Sequence, residues 1–371
     1  MATTPTTTGH YYLPKFGDVS CLSYKTSPIP ALKPGEALVK VHAVSLQARD
    51  IIVVRGHPAA RSLLPCPTLL ANMLTRLVPR TSANVVPGSD MAGEIVALCQ
   101  APAGEGEWKL GDRVCANMIP DFLSGELTPV ALQSALGAES DGVLTEYKVL
   151  PVHSLVKIPE HLSFEEASTL PCAALTAYNA VHGASPNDTV LIEGTGGVAT
   201  FALRFAAAKH ATTIVTSSSS SKLAQASLLG ATHTINYNTT QQWDEEVLRL
   251  TGGVGVDLVV ELGGPATLVK SLNAVRMGGS IAIVGMQPAP DGTPGGLTDV
   301  VLPTILKGIK MRGIQTGSVE LFREMMSFIE AHPEQTRPAI AKVFSFAETR
   351  AGYEYFMEQG HVGKVVIRVC E

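Results

Sequence analysis

A short apolar run, Thr189-Val190-Leu191-Ile192, passes through Glu193 into Gly194-Thr195-Gly196-Gly197-Val198-Ala199 and then into a helical stretch, Ala199 to Ala206. No other segment limits the possible folds as much. The spacing is G-x-G-x-x-A. Gly194 allows a tight turn, Gly196 lets backbone N–H groups approach a diphosphate, and Ala199 permits close packing of helix on sheet. The helix N-terminus adds partial positive charge where phosphates would lie. The bland alternative is a glycine turn with no ligand. The strand before the glycines and the helix after them argue for the ligand site.

The residues around this unit repeat its alternation. Thr213-Ile214-Val215-Thr216 reads as a strand, Lys222 to Leu229 as a helix stopped by Gly230, and Val256–Val260, Ser280–Val284 and Met311–Ile314 as further strands. Strands separated by helical patterns imply β-α-β units and a parallel sheet covered on both faces. Residues 156–317 are therefore expected to form a Rossmann domain, a doubly wound parallel sheet. After the second strand comes Ser217-Ser218-Ser219-Ser220-Ser221-Lys222, with no carboxylate. An acid there would bind a ribose 2′-hydroxyl and repel a 2′-phosphate; hydroxyls with a lysine do the reverse. The expected cofactor is NADPH, the alternative being a solvated serine-rich loop.

Residues 1–155 have another texture, with short alternating apolar runs between Pro/Gly turns: Ala37–Val44, Gly93–Leu98 and Arg113–Ala116. Residues 318–371 are expected to return to this β-rich domain. They hold an amphipathic helix with Leu321, Phe322, Met325, Phe328 and Ile329 on one face, a second helix near Glu348 to Gln359, and a terminal strand, Lys364–Val369. Its Met and Phe residues read as core. Charged residues are 16% of the chain, hydrophobic ones 45%, and the net charge is −5. This composition excludes disorder as the main state and a strong basic field for nucleic acid. No apolar run reaches the ~18 residues of a membrane span. The Thr-rich start lacks a secretory pattern, and the six cysteines include no C-x-x-C pair. Reduced thiols in a cytoplasmic protein are expected.

Taken together, several motifs resemble the medium-chain dehydrogenase/reductase superfamily, in particular its zinc-free quinone oxidoreductase-like branch. They are Pro34-Gly35-Glu36, Pro87-Gly88-Ser89-Asp90-Met91-Ala92-Gly93, Gly111-Asp112-Arg113-Val114, Leu170-Pro171-Cys172-Ala173-Ala174-Leu175-Thr176-Ala177-Tyr178, the glycine loop and Gly363-Lys364-Val365-Val366. The resemblance runs from about Tyr12 to Val369. It implies a GroES-like catalytic domain, split across both chain ends, around the Rossmann domain, with the active site between them and homodimers common. It implies cofactor contacts from Thr176, Gly194, Gly196, Gly197 and Val198. It also implies a 2′-phosphate site at Ser217, Ser218, Lys222 and Tyr237, with Lys364 near the cleft. Plainer roles stay open: a helix-capping Thr176, a loop Tyr237, a surface Lys364. Where zinc-dependent relatives place ligands, this chain has Gln47-Ala48, Ser89 and Cys172, and the four-cysteine structural loop is missing between Cys99 and Cys115. One thiolate cannot supply three protein ligands, so no metal is expected.

Without a Lewis acid, a conjugated acceptor is the easier substrate, since the charge spreads over an enolate and hydrogen-bond donors suffice. The expected reaction is hydride transfer to an enone, enal or quinone, the substrate being a small, apolar, conjugated molecule. Direct ketone or aldehyde reduction is the alternative, and an NADPH-binding redox sensor is the alternative outside catalysis. Gln47 and Arg49 are the candidate catalytic residues: Gln47 to orient substrate or ribose, Arg49 to donate to an oxyanion unless it is a structural partner of Asp50. The branch's usual Tyr after Asp50 is replaced within Ile51-Ile52. Two long segments, 57–86 and 119–141, are candidates to line the cleft. The first holds Leu70, Met73, Leu74 and Leu77 on one helical face, fit either to roof a pocket or to pack on its own domain or a second subunit.

Overall fold

The computed structural model describes residues 5–56, 84–99, 108–285 and 296–370; the expected helix at 67–78 lies outside them. The chain opens with an antiparallel pair, β1 (Thr7–Tyr12) and β2 (Ser23–Pro28). Then come β3 (Glu36–Ser45), α1 (Ala48–Arg55), β4 (Asp90–Cys99), β5 (Arg113–Ala116), α2 (Pro129–Leu132), β6 (Tyr147–Pro151) and β7 (Leu155–Lys157). Alternation explains β3: Leu38, Val39, Val41, Ala43 and Val44 are buried, while Lys40 and His42 reach the boundary. After α3 (Phe164–Ala167), a π-helical turn at Leu170–Ala174 leads into α4 (Leu175–Ala180).

The middle of the chain is the doubly wound unit: β8 (Thr189–Glu193), α5 (Gly197–Ala208), β9 (Thr212–Ser217), α6 (Ser220–Leu228), β10 (His233–Asn236), α7 (Trp243–Leu250), β11 (Val256–Glu261), α8 (Leu268–Ala274), β12 (Val275–Ile283), α9 (Leu297–Lys307) and β13 (Lys310–Gly313). Its six parallel strands run in the order β10-β9-β8-β11-β12-β13. The order reverses between β8 and β11, and ligands of such sheets bind in the crevice at the carboxyl ends there. The chain closes with α10 (Val319–Ala331), β14 (Ile340–Ser345), α11 (Thr349–Met357) and β15 (Lys364–Arg368).

β14 and β15 join the first sheet, in the order β14-β15-β3-β4-β5-β7 with β6 on β3. The first sheet continues through β7 to Lys157, so the expected boundary after 155 cuts a strand. Phe322, Met325 and Ile329 of α10 are fully buried against Phe201 and Phe205 of α5 and the turn at Leu170–Ala174. That core also takes in Ala92, Cys115 and Val156 from the first sheet. The two domains therefore share apolar packing, which fixes how the crevice faces the catalytic sheet. Among the described residues no helix is long and apolar enough to cross a membrane.

Candidate active site

The glycine loop forms the floor of the crevice. Gly194 has φ +83°, a conformation that L side chains avoid, and its N–H reaches the Thr216 carbonyl at 2.8 Å. A Cβ built on Gly194 or Gly196 would meet nothing within 4 Å, so the space above both is open. Gly196 is the N-cap of α5 and brings no side chain to it. The first amides of α5, from Gly197 and Val198, lack intrahelical acceptors by geometry. Open space, a glycine N-cap and orphan amides fit a dinucleotide diphosphate. Thr176, only 5% exposed, lies on α4, which packs behind α5.

The serine loop lies beside this floor. Ser217 ends β9, and its carbonyl accepts the Tyr237 N–H at 3.0 Å. Asn238 Nδ2 donates to the Ser218 carbonyl at 3.1 Å, and Asn236 Nδ2 to Ser220 Oγ at 2.9 Å. Lys222, in the first turn of α6, donates its ammonium to the Gln359 carbonyl at 2.6 Å. Ser217, Ser218, Lys222 and Tyr237 thus gather at the carboxyl ends of β9 and β10. Asn236 and Asn238 join them; their only sequence signal was a polar end to the third strand.

Lys364 connects the floor to the catalytic sheet. The Gly363 N–H donates to the Thr195 carbonyl at 3.2 Å, and a Cβ on Gly197 would lie 2.5 Å from Lys364 Cδ. The Lys364 side chain is 2% exposed, and its ammonium donates to the Leu46 carbonyl. Burial lowers its pKa, while Asp90, Cys172 and Asp50 oppose that shift. A surface role for Lys364 is excluded by this burial.

Around that ammonium, fully buried Asp90 accepts from Gln47 Nε2, from Ser89 Oγ at 2.6 Å and from the Cys172 N–H at 3.0 Å. Gln47 also donates its backbone N–H to Asp50 Oδ2 at 2.8 Å, ahead of α1. The Gln47 amide therefore holds Asp90, a contact the sequence could not show. Burial, and then the facing Asp90, push the Asp50 carboxyl up to about 7. Among the described residues Asp50 Oδ1 has no hydrogen-bond partner. Burial followed by Asp90 pushes the Cys172 thiol up to about 12.

Arg49, half-buried on the first turn of α1, donates Nη1 to the Leu136 carbonyl at 2.7 Å. Its Nη2 is buried and has no hydrogen-bond partner among the described residues. Leu136 belongs to the long segment at 119–141. This segment forms its own small core of Met118, Ile119, Phe122, Ala131 and Ala135 against Cys172. It is tied to the start of α10 by the Val319 N–H on the Phe122 carbonyl at 2.8 Å. It therefore lies against Arg49 and Cys172.

The donor set does not fit zinc. Gln47 Nε2 and Ser89 Oγ donate to Asp90, and the one thiol at a ligand position cannot supply the three protein ligands a zinc site needs. Among the described residues no group of three or more His, Cys, Asp or Glu could hold a metal ion.

Comparison with known proteins agrees with this architecture. Residues 33–160 match the alcohol dehydrogenase GroES-like domain, and residues 197–331 match the zinc-binding dehydrogenase family. A zinc-type alcohol dehydrogenase-like protein of Schizosaccharomyces pombe is 43% identical over 343 residues, which cover 91% of this chain and 92% of that one. A solved structure described as an alcohol dehydrogenase from Sinorhizobium meliloti superposes with TM-score 0.84 at 31% identity, covering 99% of this chain and 100% of that one. A solved NAD-dependent alcohol dehydrogenase gives TM-score 0.80 at 28% identity over 98% of this chain and all of that one. The chain belongs to the medium-chain dehydrogenase/reductase superfamily, oxidoreductases that bind a nicotinamide cofactor and act on small molecules.

Proposed function

We propose that this protein is an NADPH-dependent reductase of conjugated C=C bonds in enones, enals or quinones, working without zinc, in the quinone oxidoreductase-like branch. Arg49 carries the reading. A guanidinium that cannot deprotonate keeps a buried N–H with no acceptor among the described residues. It stands beside Asp50 and Cys172, both of which sense its charge. A buried unpaired donor costs about 1–3 kcal/mol, which a ligand oxygen recovers. Arg49 Nη2 would receive the carbonyl oxygen and stabilise it as it gains enolate charge. When bound, NADPH supplies the hydride to the β-carbon; water supplies the proton to the α-carbon. Gln47 donates to Asp90, which holds the Cys172 N–H, and the Lys364 ammonium favours the charge on Asp90. Thr176, Gly194, Gly196, Gly197 and Val198 would line the cofactor.

Preference for NADPH rests on Ser217, Ser218, Lys222 and Tyr237, which bring an ammonium and hydroxyls and no carboxylate to the adenosine end. A homodimer is supported by α9, the helix that leads into the edge strand β13, where Leu297, Ile305 and Leu306 are 80%, 69% and 66% exposed.

Consumption of NADPH and of NADH with a panel of enones, enals, quinones, ketones and aldehydes tests the function, with product identification. Saturated ketones or aldehydes from conjugated substrates, and faster turnover with NADPH, are expected. Allylic alcohols as the products would show direct carbonyl reduction instead. Binding of NADPH with no turnover on any member would point to a non-catalytic sensor.

A further inference from the structure

Two glutamates outside the catalytic corner meet at the carboxyl edge of the parallel sheet. Glu193 ends β8 and Glu261 ends β11, the neighbouring strands where the sheet order reverses. They are 4% and 0% exposed. Their carboxyl groups converge on one donor: the Gly263 N–H lies 3.2 Å from Glu193 Oε2 and 3.1 Å from Glu261 Oε1. Glu193 also accepts from Ser271 Oγ of α8 at 2.6 Å and from the Leu262 N–H at 3.3 Å. Glu261 accepts from the Gly264 N–H at 2.8 Å and from the Thr267 hydroxyl. All of these partners are neutral. Two buried carboxylates that converge on one donor, with no cation paired to either among the described residues, cannot both ionise at ordinary cost. Burial, and then the Glu193 carboxyl, raise the pKa of Glu261.

The pair sits where it can govern the cofactor floor. Glu193 immediately precedes Gly194, and both carboxyl groups grip the turn at 262–264. We propose that Glu193 and Glu261 share a single proton and act as positioning residues for dinucleotide binding, tying the glycine loop to the turn after β11. This inference rests on the glycine loop being the dinucleotide site. Loss of the shared proton sets two carboxylates against each other and adds negative charge under a loop that receives a diphosphate. Dinucleotide affinity and the stability of the ligand-free protein both fall as pH rises through that ionisation.

Dissociation constants for NADPH and for NADH, from pH 7 to 9.5, test this on the full chain, together with thermal melting without ligand. The wild type is expected to lose roughly tenfold in affinity for both dinucleotides. Glu193→Leu weakens both at pH 7. Glu193→Gln, which carries a permanent N–H donor, recovers binding relative to Glu193→Leu and has a shallower alkaline decline than the wild type. The ligand-free wild type loses melting temperature over this range, and Glu193→Gln loses less. Parallel profiles for wild type and Glu193→Gln overturn the proposal. So does a decline confined to NADPH, which would belong to the 2′-phosphate contact. If neither dinucleotide binds at any pH, the dinucleotide reading fails, and parallel melting profiles then dispose of the shared proton separately.

Discussion

Lys222→Ala should weaken NADPH binding about tenfold and leave NADH almost unchanged. A charge-assisted hydrogen bond contributes roughly 1.5–3 kcal/mol. Two features of the structure place Lys222 at the low end of that range. Its ammonium already has an acceptor, the Gln359 carbonyl at 2.6 Å, which must be exchanged for the phosphate. The contact also lies in an exposed setting, where water and salt screen it. A net effect near 1.4 kcal/mol is a factor of about ten. The substitution is safe for the fold, because Lys222 sits in the first turn of α6 and alanine is a strong helix former. Fluorescence titration with both dinucleotides, at low and high salt, gives the readout. The selectivity loss should shrink as salt rises. Equal weakening of NADPH and NADH, or no weakening of either, would refute the assignment of the serine loop to the 2′-phosphate.

Arg49→Met should lower kcat/KM for conjugated acceptors by roughly ten- to a hundredfold through loss of one charged donor, and Arg49→Lys should not restore it, because an ammonium cannot hold the Leu136 carbonyl and a substrate oxygen with the same fork. Unchanged steady-state kinetics in both variants would remove Arg49 from the site. Asp50 is raised to about 7 in the folded protein, so the folded state binds the extra proton between the ordinary carboxylate range and pH 7, and stability falls as pH rises through that window. Urea unfolding from pH 5 to 8 should show this slope in the wild type and a flatter one in Asp50→Asn; identical slopes would contradict it. Gly363→Ala would place a Cβ 2.2 Å from the Ala339 carbonyl oxygen at φ +83°, and should cost at least roughly 1–3 kcal/mol in denaturant melts while weakening dinucleotide binding; a neutral melt would show that the turn tolerates a side chain.

The sequence spoke most clearly where chemistry is local. Gly194, Gly196 and Ala199 sit at fixed offsets between a strand and a helix, so their role follows from the turn they must make. The face formed by Phe322, Met325 and Ile329 announced a buried helix for the same reason. Gln47 shows the opposite case. Its amide is drawn to Asp90, a buried carboxylate that needs donors, and nothing near Gln47 in the chain signals that need. Glu193 and Glu261 each end an apolar strand, yet only the parallel neighbourhood of β8 and β11 brings them together. Lys364 lay between these extremes. Its motif placed it near the cleft, but only the fold reveals that its stem covers Gly197 while its ammonium serves the other domain.

The short turn from α11 to β15 clasps the nucleotide-binding half at both of its ends. The Gln359 carbonyl holds Lys222, and four residues later the Gly363 N–H holds Thr195. Residues 359–363 therefore tie the two halves at two points, beside the apolar core that the halves share. On the proposed reading, a nucleotide whose 2′-phosphate competes for Lys222 would loosen one of them as it arrives. A pre-steady-state burst followed by slower turnover is the kinetic trace that such a clasp leaves when cofactor departure, rather than bond making, limits the cycle.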